Sequence, residues 1–412
     1  MVAFKSMEQR YYVIRDSCAS CGSASLELIW EFGNSPLAGY FPYPNEKNVK
    51  NMIPMTLVGC NGCSLVQIKE DVSDEILFSD YRYISSVGMN SHFERFATWF
   101  SNQAFASPGI TILEIGCNDG PLLDALTKKG YHPLGIDPAL NIVQRARTKG
   151  LEVISDFFSK SAVETYNFEN QFDVIISCNS FAHISNILEV AESVAVSLKE
   201  QGSFIVEVQS LPALIMSKSV DFIYHEHKYY YSIRSISNLM AKFGLFLTNG
   251  ELIDTHGGSY RLVFIKGEPN PTEGINRLTA QEFNMDLSFT KISNQIASFF
   301  EIISASSNFL IEESNNGKKI ICFGASGRGN MLLHYSGLSK FIEYVVDESP
   351  ERINRQMAFT GLQIKSFNEL SDEDYNICLI LAWNYFASIQ LKWPHRNKIL
   401  IRPLPTLEKF ST

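Results

Sequence analysis

The sequence predicts an α/β protein in three parts. A small metal-binding N-terminal domain spans residues 11–75, a Rossmann-like domain spans 76–267, and a helical bridge leads into a second Rossmann-like domain over 268–412. Three observations carry this. Two Cys-x-x-Cys knuckles lie near the start, a strand–glycine turn–helix pattern begins at Ile112, and a second one begins at Lys319. At 412 residues the chain exceeds a single ordinary core, in line with about two to three domains.

The knuckles are Cys18-Ala19-Ser20-Cys21 and Cys60-Asn61-Gly62-Cys63, with 38 residues between them. Each turns two thiolates toward one point, and Gly22 and Gly62 suit the tight turns. Four sulfurs form a closed tetrahedral zinc site with no open coordination position, which predicts a structural metal. Scattered thiols or a redox pair are the alternatives. The intervening Pro36 to Pro42 reads as loop.

Phe93, Phe96, Ala97 and Phe100 recur at helical spacing. The polar aromatic stretch before them contains Tyr81 and Tyr83, which either cover the next domain's pocket or pack between domains.

Ile112 to Ile115 is an apolar strand ending in Gly116-Cys117-Asn118-Asp119-Gly120, after which Pro121-Leu122-Leu123 opens a helix. The following strand ends at Asp137. Such a unit binds an adenosine-containing cofactor. The spacing Glu114-x-Gly116-x-x-x-Gly120 lacks the three close glycines that admit a pyrophosphate. S-adenosylmethionine fits instead: Glu114, Gly116, Asn118, Asp119 and Gly120 frame the methionine part, and Asp137 accepts from the ribose hydroxyls. Further strands are predicted at 151–154, 172–178, 202–209 and 261–266, giving a parallel sheet flanked by helices. Ligands bind at the carboxyl ends of such strands. Asp156, Phe157 and Phe158 are therefore placed at adenine, and Asn179 at the cofactor, with His183 close behind it where a substrate approaches.

The densest chemical run is Asp221 to Ser232, which contains Tyr224, His225, Glu226, His227 and three further tyrosines. Histidine titrates near neutrality and a tyrosine hydroxyl can stabilise an oxyanion, so a general base with partners is expected. A metal held by the His-x-His pair and a polar surface patch are the alternatives. The turn Thr255 to Arg261 offers His256, Gly258, Ser259 and Arg261 to an anion; a plain glycine hairpin is the other reading.

Residues 279–313 predict one or two long helices. The second glycine turn, Gly324-Ala325-Ser326-Gly327-Arg328-Gly329-Asn330, is followed by a strand ending at Asp347. Helix-terminal amides with Ser326, Arg328, Asn330 and Asp347 suit the nucleotide of a substrate. NAD is the alternative, although Gly-x-x-Gly-x-Gly departs from its pattern.

A net charge of −9 and a pI near 5.5 exclude an electrostatic grip on nucleic acid. No apolar run approaches the ~20 residues of a membrane span, and residues 1–16 lack a signal-peptide core. A cytoplasmic monomer or homodimer with a small or nucleotide-linked substrate is expected.

The motifs follow one order: four cysteines, Glu114 to Gly120, the Tyr-His-Glu-His run, His256-Gly257-Gly258-Ser259, then Gly324-Ala325. In this the chain resembles the S-adenosylmethionine-dependent C-methyltransferases of deoxysugar biosynthesis, and the resemblance extends from Cys18 to about Pro403. It implies a class I methyltransferase domain in the middle, structural zinc, and a nucleotide-linked keto sugar as substrate, methylated at carbon 3 of a 4-keto-6-deoxyhexose. It also implies His227 as the base, with Tyr224 and Glu226 beside it, His183 in the active site, and an N-terminal tyrosine at Tyr81 or Tyr83. An O- or N-methyltransferase, or a non-sugar carbon acid, is the alternative.

Overall fold

A computed structural model describes residues 11–46, 52–78 and 83–412; Tyr81 lies outside them. The chain forms two compact units, each discontinuous in sequence. One contains residues 11–27, Val58–Ala213 and Lys228–Asp286, and the other Leu28–Leu57, Leu214–His227 and Leu287–Thr412. The cysteine knuckles fold with the central sheet, and the bridge divides: helix Glu273–Phe283 belongs to the first unit and helix Phe289–Asn315 to the second.

The first unit is built on seven strands: β1 (Ile112–Ile115), β2 (Pro133–Ile136), β3 (Val153–Ile154), β4 (Phe172–Cys178), β5 (Leu198–Gln209), β6 (Leu245–Ile253) and β7 (Ser259–Lys266). Their order is β6-β7-β5-β4-β1-β2-β3. Pairings from β3 through β5 are parallel, whereas β7 runs antiparallel to both neighbours. β4 and β5 are apolar on both faces because both faces are covered. Ile175, Phe204 and Val206 enter one core with Ile187 and Val194, while Val174, Ile176 and Ile205 enter another with Phe93, Phe96 and Phe100 of helix Ser86–Ser101. The expected aromatic stripe is thus the buried face of that helix.

β6 has no counterpart among the sequence-predicted strands. Its centre, Thr248-Asn249-Gly250, breaks the apolar alternation, and its register with β7 shifts between Leu247 and Asn249. A bulged edge strand gives a weak periodic signal.

In the second unit, β8 (Ile320–Phe323), β9 (Val345–Asp347), β10 (Ile364–Ser366), β11 (Ile377–Ile380), β12 (Ile399–Arg402) and β13 (Glu408–Ser411) form a sheet in the order β10-β9-β8-β11-β12-β13. All pairings are parallel except β12–β13. Phe300 of the long helix packs on Tyr335 and stacks on Trp30, with centroids 5.2 and 5.7 Å apart. Among the described residues, no helix is long and apolar enough to cross a membrane.

Candidate active site

In the first unit β1 delivers Glu114 into the interior, and the chain then turns through Gly116 at φ 72° and Gly120 at φ 81°. A Cβ on Gly116 would lie 2.5 Å from that of Ser180, whose hydroxyl donates to the Ile115 oxygen at 2.7 Å. Only glycine permits this approach. Asp137, at the tip of β2, accepts from the amides of Asn118 and Ala139, each at 2.9 Å. The cofactor loop and the ribose-type carboxylate are therefore joined directly.

Helix Ser86–Ser101 clasps the same loop. Ser85 and Ser86 donate main-chain amides to Asn118 Oδ1 and Asp119 Oδ1 at 3.0 and 3.1 Å, and Asn118 Nδ2 donates to the Tyr83 oxygen at 3.1 Å. Although burial pushes Asp119 upward, Lys149 at 2.8 Å and Ser86 hold its carboxyl below the usual range. Asp119 thus ties the loop together. Glu114 differs: burial, then Asp137, Glu207 and Asp119, push it well above the usual range, and its Oε2 is buried without a partner among the described residues. An orphaned buried carboxyl oxygen beside a glycine turn fits the cationic methionine part of S-adenosylmethionine. Phe157 is exposed, whereas Phe158 is buried in the core beside the sheet. Asn179 follows β4 at φ 58°, with its amide donating to the Glu207 oxygen at 2.9 Å.

His183 sits in a short 3-10 turn after β4, and burial, then Lys228, lower its pKa to about 4. Sequence reasoning passed over Lys228. It is 2% exposed and donates to Asp71, Asp74 and the Val72 oxygen at 2.6–2.8 Å, and also to Ser185. Tyr83 is at the surface, its hydroxyl donating to Met89 Sδ at 2.9 Å. The turn before β7 holds His256 at φ 56° and Gly258 at φ 125°. Arg261 is not open to an anion as expected: it is buried against Glu207 at 2.6 Å and Glu251 at 2.9 Å, over the rings of Phe96 and Trp99. Ser259 donates to the Thr255 oxygen at 3.0 Å, closing the turn on itself.

The Tyr-His-Glu-His run belongs to the second unit and sorts its two histidines. His225 Nε2 donates to the Pro54 oxygen at 3.1 Å, and burial lowers its pKa to about 4. His227 Nδ1 donates to the Phe222 oxygen at 2.7 Å, with the rings of Phe222 and Tyr224 each 4.0 Å away. A carbonyl can only accept, so Nδ1 carries the hydrogen and the neutral ring's lone pair lies on Nε2. Glu226 Oε1 accepts from the Gly39 amide at 2.7 Å.

The second glycine turn is more closed than expected. Asp347 accepts from the Ala325 and Ser349 amides at 2.6 and 2.7 Å, Ser326 caps Gly329, and Arg328 forms a two-pronged pair with Asp221 at 2.9 and 3.0 Å. The Ala38 main chain packs on Gly327, and its oxygen accepts from Asn330 Nδ2 at 2.7 Å. Nη1 of Arg328 and Oδ1 of Asn330 remain buried without a partner among the described residues.

Cys18, Cys21, Cys60 and Cys63 bring four sulfurs within 4.8 Å of one another, with Cys18–Cys63 at 3.5 Å and Cys21–Cys60 at 3.4 Å. A tetrahedron of Zn–S bonds near 2.3 Å has edges of about 3.8 Å, so the cluster fits zinc after a small expansion. Four sulfurs fill a tetrahedral zinc, and three of the four thiols are buried.

Residues 18–78 match a family described as "Putative zinc binding domain", residues 89–249 one described as "Methyltransferase domain", and residues 254–405 one described as "C-methyltransferase C-terminal domain". The C-methyltransferase NovU of Streptomyces niveus is 26% identical over 383 residues, covering 91% of each chain. A ubiquinone biosynthesis O-methyltransferase of Bartonella bacilliformis is 29% identical over 107 residues, 25% of this chain and 42% of that protein. The structure of magnesium protoporphyrin IX methyltransferase from Synechocystis PCC 6803 aligns at 15% identity over 44% of this chain and 81% of its own, with a TM-score of 0.34. The C-terminal match and the relative aligned along 91% of each chain both carry the description C-methyltransferase, and together with the central methyltransferase match they support an S-adenosylmethionine-dependent C-methyltransferase that carries a zinc-binding domain near its N-terminus.

Proposed function

We propose that this enzyme methylates carbon 3 of a nucleotide-linked 4-keto-6-deoxyhexose, after removing the proton that the neighbouring ketone acidifies. One observation carries the reading: the Phe222 oxygen accepts from His227 Nδ1, which places the basic lone pair of the neutral ring on Nε2. His227 takes the proton from carbon onto Nε2, and the electron pair becomes an enolate. S-adenosylmethionine supplies an electrophilic methyl group. Tyr224, His183 or a Tyr81/Tyr83 hydroxyl stabilises the enolate oxygen. His183, held neutral by burial, serves as a hydrogen-bond donor and not as a cation. Glu226 steadies the run through the Gly39 amide.

His256, Gly258 and Ser259 line the acceptor. Nη1 of Arg328 and Oδ1 of Asn330, without a partner among the described residues, support a nucleotide contact in the second unit. The test is mass spectrometry in deuterated water with S-adenosylmethionine and the keto sugar. Methyl gain at carbon, together with deuterium exchange that needs His227, is the expected result. Methyl gain on oxygen or nitrogen without exchange would sink the reading.

A further inference from the structure

We infer that Gln209 is a substrate-recognition residue, whose side-chain amide binds a carbonyl oxygen and an adjacent hydrogen-bond donor on the methyl acceptor. This rests on the keto-substrate reading above and specifies how the ketone is recognised.

Gln209 is the last residue of β5 and is 6% exposed. Its Nε2 and Oε1 are both buried without a partner among the described residues. An amide withdrawn from water and left unpaired is costly, so buried amides of this kind are normally paired.

The strand as a whole is not loosely satisfied. Glu207, two residues earlier and on the same face by strand alternation, accepts from His92 and Cys178 at 2.8 Å and from Arg261 at 2.6 Å. The missing partners are therefore particular to the strand tip. That tip is the carboxyl edge of the parallel strands, where ligands bind in such sheets.

The frame around it is fixed. The Ser210 amide donates to the Gly258 oxygen at 3.1 Å, Gln209 pairs with Ser259 across β7, and the Asn179 amide donates to the Glu207 oxygen at 2.9 Å. A Cβ on Gly258 would lie 2.5 Å from that of Ala213, so the turn closes tightly beside β5. Gln209 thus stands between Asn179 after β4 and the glycine turn before β7.

A primary amide presents one donor and one acceptor side by side. The matching ligand is a ketone flanked by a hydroxyl or an amine. Its carbonyl oxygen gains charge as the proton leaves, so the donated hydrogen bond strengthens in the transition state.

Gln209→Leu keeps the volume and removes both polar atoms. It is expected to melt at or above the wild-type temperature, since an unpaired buried amide is removed. It should bind S-adenosylmethionine within about twofold of wild type by calorimetry, while KM for a nucleoside-diphosphate 4-keto-6-deoxyhexose rises about tenfold or more. A lower melting temperature would show that the amide has an internal partner such as bound water and would overturn the inference, as would an unchanged KM. If the wild-type enzyme leaves the keto sugar untouched, the sugar reading fails on its own. Melting then decides Gln209: a stable Gln209→Leu supports an amide kept for another acceptor, and a destabilised one overturns it.

Discussion

His227 Nδ1 and the main-chain oxygen of Phe222, 2.7 Å apart, fix which imidazole nitrogen can act as a base. Because that contact comes from the main chain, substitution at Phe222 would not remove it, whereas loss of the ring removes the proposed base itself. His227→Ala should lower kcat about a thousandfold, within the range for removing a general base, and abolish deuterium exchange into the acceptor. Calorimetric binding of S-adenosylmethionine should be unchanged. Retained exchange would exclude His227 as the base.

The four sulfurs join the same core as the central sheet: Cys18, Cys60 and Cys63 cluster with Leu65, Tyr229 and Phe181. Without a metal the thiols cannot all ionise together: a hydrogen bond to Cys63, reinforced by burial, raises Cys18, while its partner Cys63 is held at about 5. Purified protein should carry about one zinc per chain by elemental analysis. Chelation should lower the melting temperature on the order of 10 °C, the size expected if several kcal/mol of metal binding is lost from a domain this large. An unchanged melting curve in the metal-free protein would refute a structural role.

Lys228 Nζ is held by Asp71 at 2.7 Å and Asp74 at 2.6 Å, with Ser185 completing the shell next to the His183 turn. Removing only the cation takes the buried ammonium from both carboxylates, leaving Asp71 its pair with Arg15 and Asp74 its hydrogen bond from Ser185. Lys228→Met should cost about 3 kcal/mol in denaturant unfolding. Lys228→Met combined with Asp74→Asn should recover part of the loss. If the double variant is no more stable than the single one, the ion pair is not what holds this region.

Much of the cofactor loop was legible in the sequence, because its constraints are local. Gly116 and Gly120 stand where φ must be positive, and the carboxylate of Asp137 ends the next strand. What the sequence hid depends on distant partners. Nothing near His225 announces that Pro54 claims it, while His227 Nδ1 donates to a carbonyl five residues away. Lys228 reads as one more polar residue in an aromatic run until Asp71 and Asp74 arrive from more than 150 residues away. The second glycine turn suggests an open phosphate cradle, but Ala38 and Asp221, also remote in sequence, take Asn330 Nδ2 and two of the Arg328 nitrogens. Edge strand β6 was missed because a bulge and a polar centre erase its period.

His183 and His225 each have a folded pKa of about 4, against an ordinary value of 6.5, chiefly through burial. The unfolded chain therefore binds more protons between these limits. The stability from keeping them neutral is complete above pH 6.5 and is lost as the pH falls toward 4. By pH 5 each should account for roughly 2 kcal/mol of lost stability. His225→Gln, which retains a donor for the Pro54 oxygen, should flatten the decline in unfolding free energy between pH 7 and pH 5. An identical slope in the variant would mean that His225 titrates normally in the folded protein.

Glu114 supplies the last prediction. Burial first, then the nearby Asp137, Glu207 and Asp119, push its carboxyl well above the usual range, which favours the protonated form in the free enzyme. S-adenosylmethionine carries a sulfonium and an ammonium, and a cation beside this carboxyl favours the ionised form. Binding should therefore release a proton, and affinity should rise with pH until Glu114 is already ionised in the free enzyme. Calorimetry in two buffers of different ionisation enthalpy measures that proton directly. Glu114→Gln should abolish the release, remove the pH dependence and weaken binding about tenfold, the equivalent of one pKa unit of coupling. A proton release that survives in Glu114→Gln would assign the linkage to a different group, with Asp137, itself raised by burial, the next to substitute.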